Sequence, residues 1–243
     1  MADLTLYLDL MSPPCRSVYI FAKANNIPFN NHQMRIFKGE HLTEDFGKVN
    51  VLRKLPALKD GDFSMAESTA MLIYLARKYK TPDHWYPSDP QKCAHVDEYL
   101  AWQHTNTRPH GVKVFWAKFM TPLILGHEAP REKVDAILAD FNIAMKNLEE
   151  KFLGNKPFIT GDEISVADLV AIVEIMQVVG GGVNVFDERP KLADWKQRVV
   201  EAVGEEVFLE AHEGILNCKK RASEPLPPEL LELLKCKLLS MIQ

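Results

Sequence analysis

The feature that most constrains this chain is a change of pattern at a proline-rich break. Strand and helix signals alternate as far as residue 80, and no convincing strand follows. Residues 4–8 have the two-residue period of a strand, 13–24 read as a helix, 29–36 as a strand and 42–49 as a short helix. Asp60-Gly61 then predicts a hairpin between strands at 57–59 and 63–65, and a helix over 68–78 closes the unit. The stretch 81–90 contains Pro82, Pro87 and Pro90 and reads as a linker. Beyond it, helical spacing of apolar residues runs over 91–120, 131–152, 166–178, 191–203 and 205–219. The expected organisation is an α/β domain over residues 1–80, a linker over 81–90 and an all-α domain over 91–243.

Composition narrows the function classes. With 243 residues, 47% hydrophobic, 26% charged and a formal net charge of −4, the chain has a substantial core and no basic patch to neutralise phosphates, which argues against nucleic acid as a partner. The apolar run 169–179 is interrupted by Glu174 and Gln177 and is too short to cross a bilayer, so it reads as a buried helix. Met1-Ala2-Asp3 does not open a secretory signal, and Cys15, Cys93, Cys218 and Cys236 have neither metal-ligand nor disulfide-framework spacing. The expectation is a cytoplasmic protein without metal.

Ser12 stands between the first strand and Pro13-Pro14, where a helix begins. One reading makes it an ordinary helix cap. The other uses the positive end of the helix to hold an anion, including a thiolate brought by a ligand. Roughly 3% of a thiol with a pKa of about 8.5 is ionised at pH 7, and lowering that pKa by about two units takes roughly 2.7 kcal/mol. A hydroxyl donating to the anion supplies about 1.5–3 kcal/mol, so no general base is required. No G-x-S-x-G elbow surrounds Ser12, which argues against a serine nucleophile. Ser12-Pro13-Pro14-Cys15 also resembles a redox turn with serine in place of the attacking cysteine, and Cys15 then reads as a buried small hydrophobe.

Further along, Leu55-Pro56 precedes a strand, where a cis bond would leave the Leu55 backbone open to an extended peptide. Glu67 and Ser68 start a helix: Ser64 with Glu67 has capping-box spacing, whereas the pair could instead bind the amino and carboxylate groups of an α-amino acid. His41 and Lys54 are candidates for the ligand's other carboxylate. Ser165 to Asp168 reads as a capping box, Gly180-Gly181-Gly182 as a flexible helix end, and Leu230, Leu231, Leu233, Leu234, Leu238 and Leu239 as the apolar surface of a final helix that packs on the second domain or covers a pocket.

These motifs resemble those of glutathione transferases, and the theta class in particular. The likeness is carried by residues 6–12, Lys38-Gly39-Glu40-His41, residues 55–63, Glu67-Ser68 and residues 96–104, and extends over nearly the whole chain. It implies a thioredoxin-like N-terminal domain with a helical C-terminal domain, a homodimer, catalytic Ser12, and glutathione contacts at His41, Lys54, Leu55, Glu67 and Ser68. It also implies glutathione as co-substrate with no permanently bound cofactor, a C-terminal helix over the site, and small hydrophobic electrophiles as partners: alkyl halides, epoxides, reactive sulfate esters and organic hydroperoxides. Arg108 becomes an electrophile-site candidate, with a surface salt bridge as its alternative. The chain departs from the pattern at Pro13, where relatives often carry glutamine, and at Pro109-His110-Gly111. A noncatalytic interaction module and thiol-disulfide exchange are the competing functions.

Overall fold

A computed structural model describes residues 3–221 and 226–242. Its N-terminal part is β1 (Leu4–Leu8), α1 (Pro13–Ala24), β2 (Asn30–Gln33), α2 (Glu44–Val49), β3 (Ala57–Asp60), β4 (Phe63–Ala66) and α3 (Ser68–Tyr79). The sheet order is β2-β1-β3-β4, with β1 parallel to β2 and the other pairs antiparallel. Gly61, at φ 60°, supplies the left-handed turn that the β3–β4 hairpin requires.

The strand expected over 29–36 is shorter. All four β2 residues are exposed at the sheet edge, and after Met34 the backbone leaves in two tight turns around Gly39, at φ 73°. The helix expected from residue 42 starts at Glu44, where Thr43 caps it by accepting from the Phe46 amide at 3.3 Å.

The remainder is helical: α4 (Pro90–Gln103), α5 (Thr107–Phe115), α6 (Thr121–Leu125), α7 (Arg131–Asn147), α8 (Val166–Gly180), α9 (Pro190–Val203), α10 (Glu205–Leu216), α11 (Cys218–Arg221) and α12 (Pro228–Ile242). No strand occurs among its described residues. The single helix expected over 91–120 is broken between α4 and α5, because Pro109 lacks an amide hydrogen and its ring would strike the carbonyl four residues earlier. A π-helical turn, Trp116–Met120, then leads into α6, whose second residue is Pro122. Another, Leu148–Leu153, extends α7. The stretch read as a linker is packed rather than loose. Trp85 is buried edge-on to Phe21 with ring centroids 5.4 Å apart, and His84 donates from Nδ1 to the Ile164 carbonyl at 2.6 Å.

Helix α8 is the centre of the molecule, buried along almost its whole length and packed against α1, α4, α5 and α10. Its capping box forms as expected, with Ser165 Oγ accepting from Ala167 N and Asp168 Oδ2 accepting from Ser165 N. The glycines at its end are not merely a flexible terminus. A Cβ on Gly180 would lie 2.5 Å from Ile215 Cγ1 and 2.7 Å from the Ile215 carbonyl oxygen, so α10 approaches α8 closely only because position 180 is glycine. Gly180→Ala is expected to lower stability by about 1–3 kcal/mol, the usual range for overpacking, measured as a reduced midpoint in denaturant titration. An unchanged midpoint would mean that α10 moves aside freely.

Candidate active site

The sheet register gathers the candidate residues. Leu8 pairs with Gln33, Tyr7 with Ala57, and Ala57 with Ala66. The chain leaving β1 toward Ser12, the chain leaving β2 toward His41, the entry to β3 at Leu55-Pro56 and the exit from β4 at Glu67-Ser68 therefore share one end of the sheet. Asp9 ties two of these segments together, accepting from Met11 N at 2.9 Å with Oδ1 and from Ile36 N at 2.7 Å with Oδ2. Burial raises the Asp9 pKa, and these two amides oppose the rise.

Ser12 occupies the N-cap position of α1 with an extended backbone, but its hydroxyl does not cap the helix. The first two helical residues are prolines and have no amide hydrogens to satisfy, and the amides of Cys15 and Arg16 both go to the Ser12 carbonyl at 3.1 Å. The ordinary cap reading thus fails, in part for a reason already written in the sequence. The half-buried hydroxyl lies beside the Cys15 thiol. Burial pushes that thiol up to about 12, opposed by the Asp9 backbone and the Ser12 hydroxyl, so Cys15 stays protonated at neutral pH.

Leu55-Pro56 is cis, with Leu55 half-buried and Pro56 buried. Lys54 has an exposed side chain, and its carbonyl accepts from Asn50 Nδ2 at 2.8 Å. His41 is half-buried on the turn after Gly39; burial lowers its pKa against the pull of Asp9, and its Nδ1 has no partner. The capping box suggested by Ser64 and Glu67 does not form: Ser64 belongs to β4, and the Glu67 side chain makes no cap bond. Glu67 instead has φ 68° and ψ 101°, a conformation that costs a non-glycine residue about 1–3 kcal/mol and recurs where binding groups are held in place. Ser68 follows, buried, as the first residue of α3.

Arg108 donates from Nε to Glu174 Oε1 at 2.8 Å. The salt bridge weighed for Arg108 therefore exists, but its partner is a buried carboxylate on α8 rather than a surface group. His104 senses both members of this pair and Glu67, which places the end of α4 near the Glu67 turn; burial, then the charge of Arg108, lowers its pKa.

One contributor had no local signal in the sequence, and a second was signalled only by the leucines of the last helix. Arg16 is fully buried, donating from Nη1 to the carbonyls of Leu10 at 2.8 Å and Met11 at 3.3 Å, and from Nη2 to Val173 O at 2.9 Å and Gln177 Oε1 at 2.8 Å. It braces the Ser12 turn against the helical part. An apolar cluster built on Phe115, Phe119, Met120, Ile124, Ile215 and Leu238 is joined by Met11 beside Ser12, by Phe37 on the His41 segment, and by Leu231 and Leu234 of α12. The last helix packs on α6 and so belongs to one apolar cluster with Met11 and Phe37 on the Ser12 side of the sheet. The Leu239 side chain, expected on the same apolar surface, lies outside the described residues.

Among the described residues no group of three or more His, Cys, Asp or Glu is placed to hold a metal, and no helix is long and apolar enough to cross a membrane. Family models for the N-terminal and C-terminal domains of glutathione S-transferase match residues 6–83 and 113–202. Glutathione S-transferase theta-1 of Bos taurus is 55% identical over 240 residues, covering 99% of each chain. The human glutathione-S-transferase T1-1 apo structure superposes with a TM-score of 0.93 at 53% identity, over 99% of this chain and 100% of that one. A human theta-class transferase in complex with the glutathione conjugate of 1-menaphthyl sulfate superposes with a TM-score of 0.93 at 43% identity, over 100% of both. With both domains matched and more than half of the aligned residues shared with the Bos taurus theta-1 protein, the chain belongs to the theta class of glutathione S-transferases.

Proposed function

We propose that the chain conjugates the glutathione thiolate to small hydrophobic electrophiles, with Ser12 donating a hydrogen bond to the sulfur. The observation that carries this reading is the Ser12 hydroxyl, at the positive end of α1 and released from capping by Pro13 and Pro14. Glutathione would lie along the end of the sheet. The Leu55 backbone would pair with the peptide, Glu67 and Ser68 would take the γ-glutamyl amino and carboxylate groups, and His41 and Lys54 the glycyl carboxylate. The thiolate attacks the electrophilic carbon and the bonding electrons pass to the leaving atom, which departs as halide or sulfate or, in an epoxide, stays attached as an alkoxide that takes a proton from water; the protein contributes proximity and stabilisation of the sulfur anion.

The apolar cluster around Met11, Phe37 and α12 supports an electrophile pocket covered by the last helix. Arg108, half-buried and paired with Glu174 of α8, is the candidate to meet a polar leaving group. The human relative holding a sulfate-ester conjugate favours reactive sulfate esters, with alkyl halides and epoxides as further classes for conjugation; organic hydroperoxides would instead be reduced to the alcohol and water while two glutathiones are oxidised to the disulfide. We also infer a cytoplasmic homodimer with residues 1–80 and 91–243 as its two domains. In a screen of the four classes with and without glutathione, turnover is expected only with glutathione and with at least one class, and calorimetry is expected to show glutathione binding. A folded protein that neither binds glutathione nor turns over any class would return the noncatalytic module.

A further inference from the structure

We infer that Arg16 is a positioning residue for the reaction: it fixes the Leu10-Met11 backbone before Ser12 and sets a buried positive charge beneath the thiolate that Ser12 receives. The inference rests on the reading of Ser12 as a donor to sulfur. All four hydrogen bonds of the guanidinium go to neutral oxygens, namely three backbone carbonyls and the Gln177 amide, and Nε has no partner. A buried arginine ordinarily faces a carboxylate. Here the carboxylates nearby hydrogen-bond elsewhere, Glu174 through Oε1 with Arg108 and Asp9 with the amides of Met11 and Ile36, so both act on Arg16 through space only and neither touches the guanidinium.

The other ionisable groups around Arg16 add no negative charge. Burial raises the Cys15 and Cys218 thiols. His212 on α10 donates from Nδ1 to the Phe208 carbonyl, and burial pushes its pKa down to about 3, so it is neutral. Burial lowers Arg16 to about 10, which leaves it charged at neutral pH. Arg16 therefore directs its charge at the turn without a hydrogen-bonded counter-ion, and an anion arriving at Ser12 completes the set.

Gln177→Glu tests this directly, because it keeps the size and the acceptor facing Nη2 but gives Arg16 its counter-ion. The thiol pKa of bound glutathione, read from thiolate ultraviolet absorbance across pH, is expected to rise by about one unit, and kcat below that pKa to fall about tenfold. Gln177→Leu removes the tether without adding charge and is expected to leave the thiol pKa at its wild-type value while lowering the melting temperature. A folded Gln177→Glu with an unmoved thiol, or an equal rise in both variants, would overturn the proposal. Should Gln177→Glu not fold, Arg16→Lys carries the test: it keeps the charge and loses the fork, so a thiol pKa near wild type supports the proposal, and a rise as large as that of Ser12→Ala overturns it. Ser12→Ala in the same assay separates the two failures: an unmoved thiol there overturns the reading of Ser12 and the proposal with it, whereas a raised thiol beside an unmoved Gln177→Glu overturns the Arg16 proposal alone.

Discussion

Ser12→Ala is expected to lower kcat about 10- to 150-fold near pH 7, the equivalent of the 1.5–3 kcal/mol that a hydrogen bond to an anion contributes. KM for glutathione should change by no more than about twofold, because the hydroxyl meets only the sulfur and the peptide contacts lie elsewhere along the sheet end. The pH dependence has a defined sign. A donor to the anion lowers the thiol pKa, so its loss moves the rising limb of the kcat profile to higher pH, and the defect narrows as pH passes about 8.5, where free thiol ionises unaided. Single-turnover kinetics with a halide or sulfate ester across pH 6 to 9.5 would read this. A rate constant for the chemical step that matches wild type at pH 6.5 would end the assignment. Thiol-disulfide exchange predicts the reverse pattern, with Cys15→Ser inactive and Ser12→Ala active; the buried, protonated Cys15 thiol argues against it.

The N-terminal domain was legible because its signals are local. Alternation marked β1, Asp60-Gly61 marked the hairpin, and the order Ser12, His41, Leu55, Glu67, Ser68 was intelligible once the register placed four segment ends together. Pro13 and Pro14 also held part of the answer to the cap question, since they remove two of the donors in the first turn; the third, the Cys15 amide, goes to the Ser12 carbonyl instead of the hydroxyl. Pro109 was equally visible, and its break between α4 and α5 follows from the missing amide hydrogen and the clash of its ring with the preceding turn. What stayed hidden depends on distant pairing. Arg16 and Gln177 are 161 residues apart, and no period or spacing joins them. Glu174 and Gln177 read only as interruptions of an apolar run, although each is the partner of an arginine reaching α8. Gly180 resembled a loose helix end because the close approach of Ile215 comes from another helix. Nothing marked the left-handed backbone of Glu67, since a glutamate there runs against residue preference.

The second large effect is expected in folding rather than chemistry. Asp168→Ala should lower stability by about 3 kcal/mol or more, at about 1–3 kcal/mol for each buried donor left unsatisfied. Asp168 is fully buried and accepts from Ile159 N at 2.8 Å and Trp195 Nε1 at 2.9 Å with Oδ1, and from Ser165 N at 2.9 Å and Ser165 Oγ at 3.1 Å with Oδ2. One carboxylate thus joins the chain entering α8, the α8 cap and the indole of α9. Burial raises its pKa and these donors oppose the rise, so removing the side chain orphans three N–H groups at once. For a chain of this length each kcal/mol corresponds to about 2–4 °C, so the melting temperature should drop by roughly 10 °C. Asp168→Asn should lose about half as much, because its oxygen still serves Ile159 and Trp195 while its NH2 turns toward the Ser165 amide. Protein that remains folded should retain wild-type kcat, since Asp168 lies in the helical part, away from the Ser12 end of the sheet. A melting temperature within 2 °C of wild type for Asp168→Ala would show that the three donors find other acceptors, and that the α8 cap does not hold the helical part together.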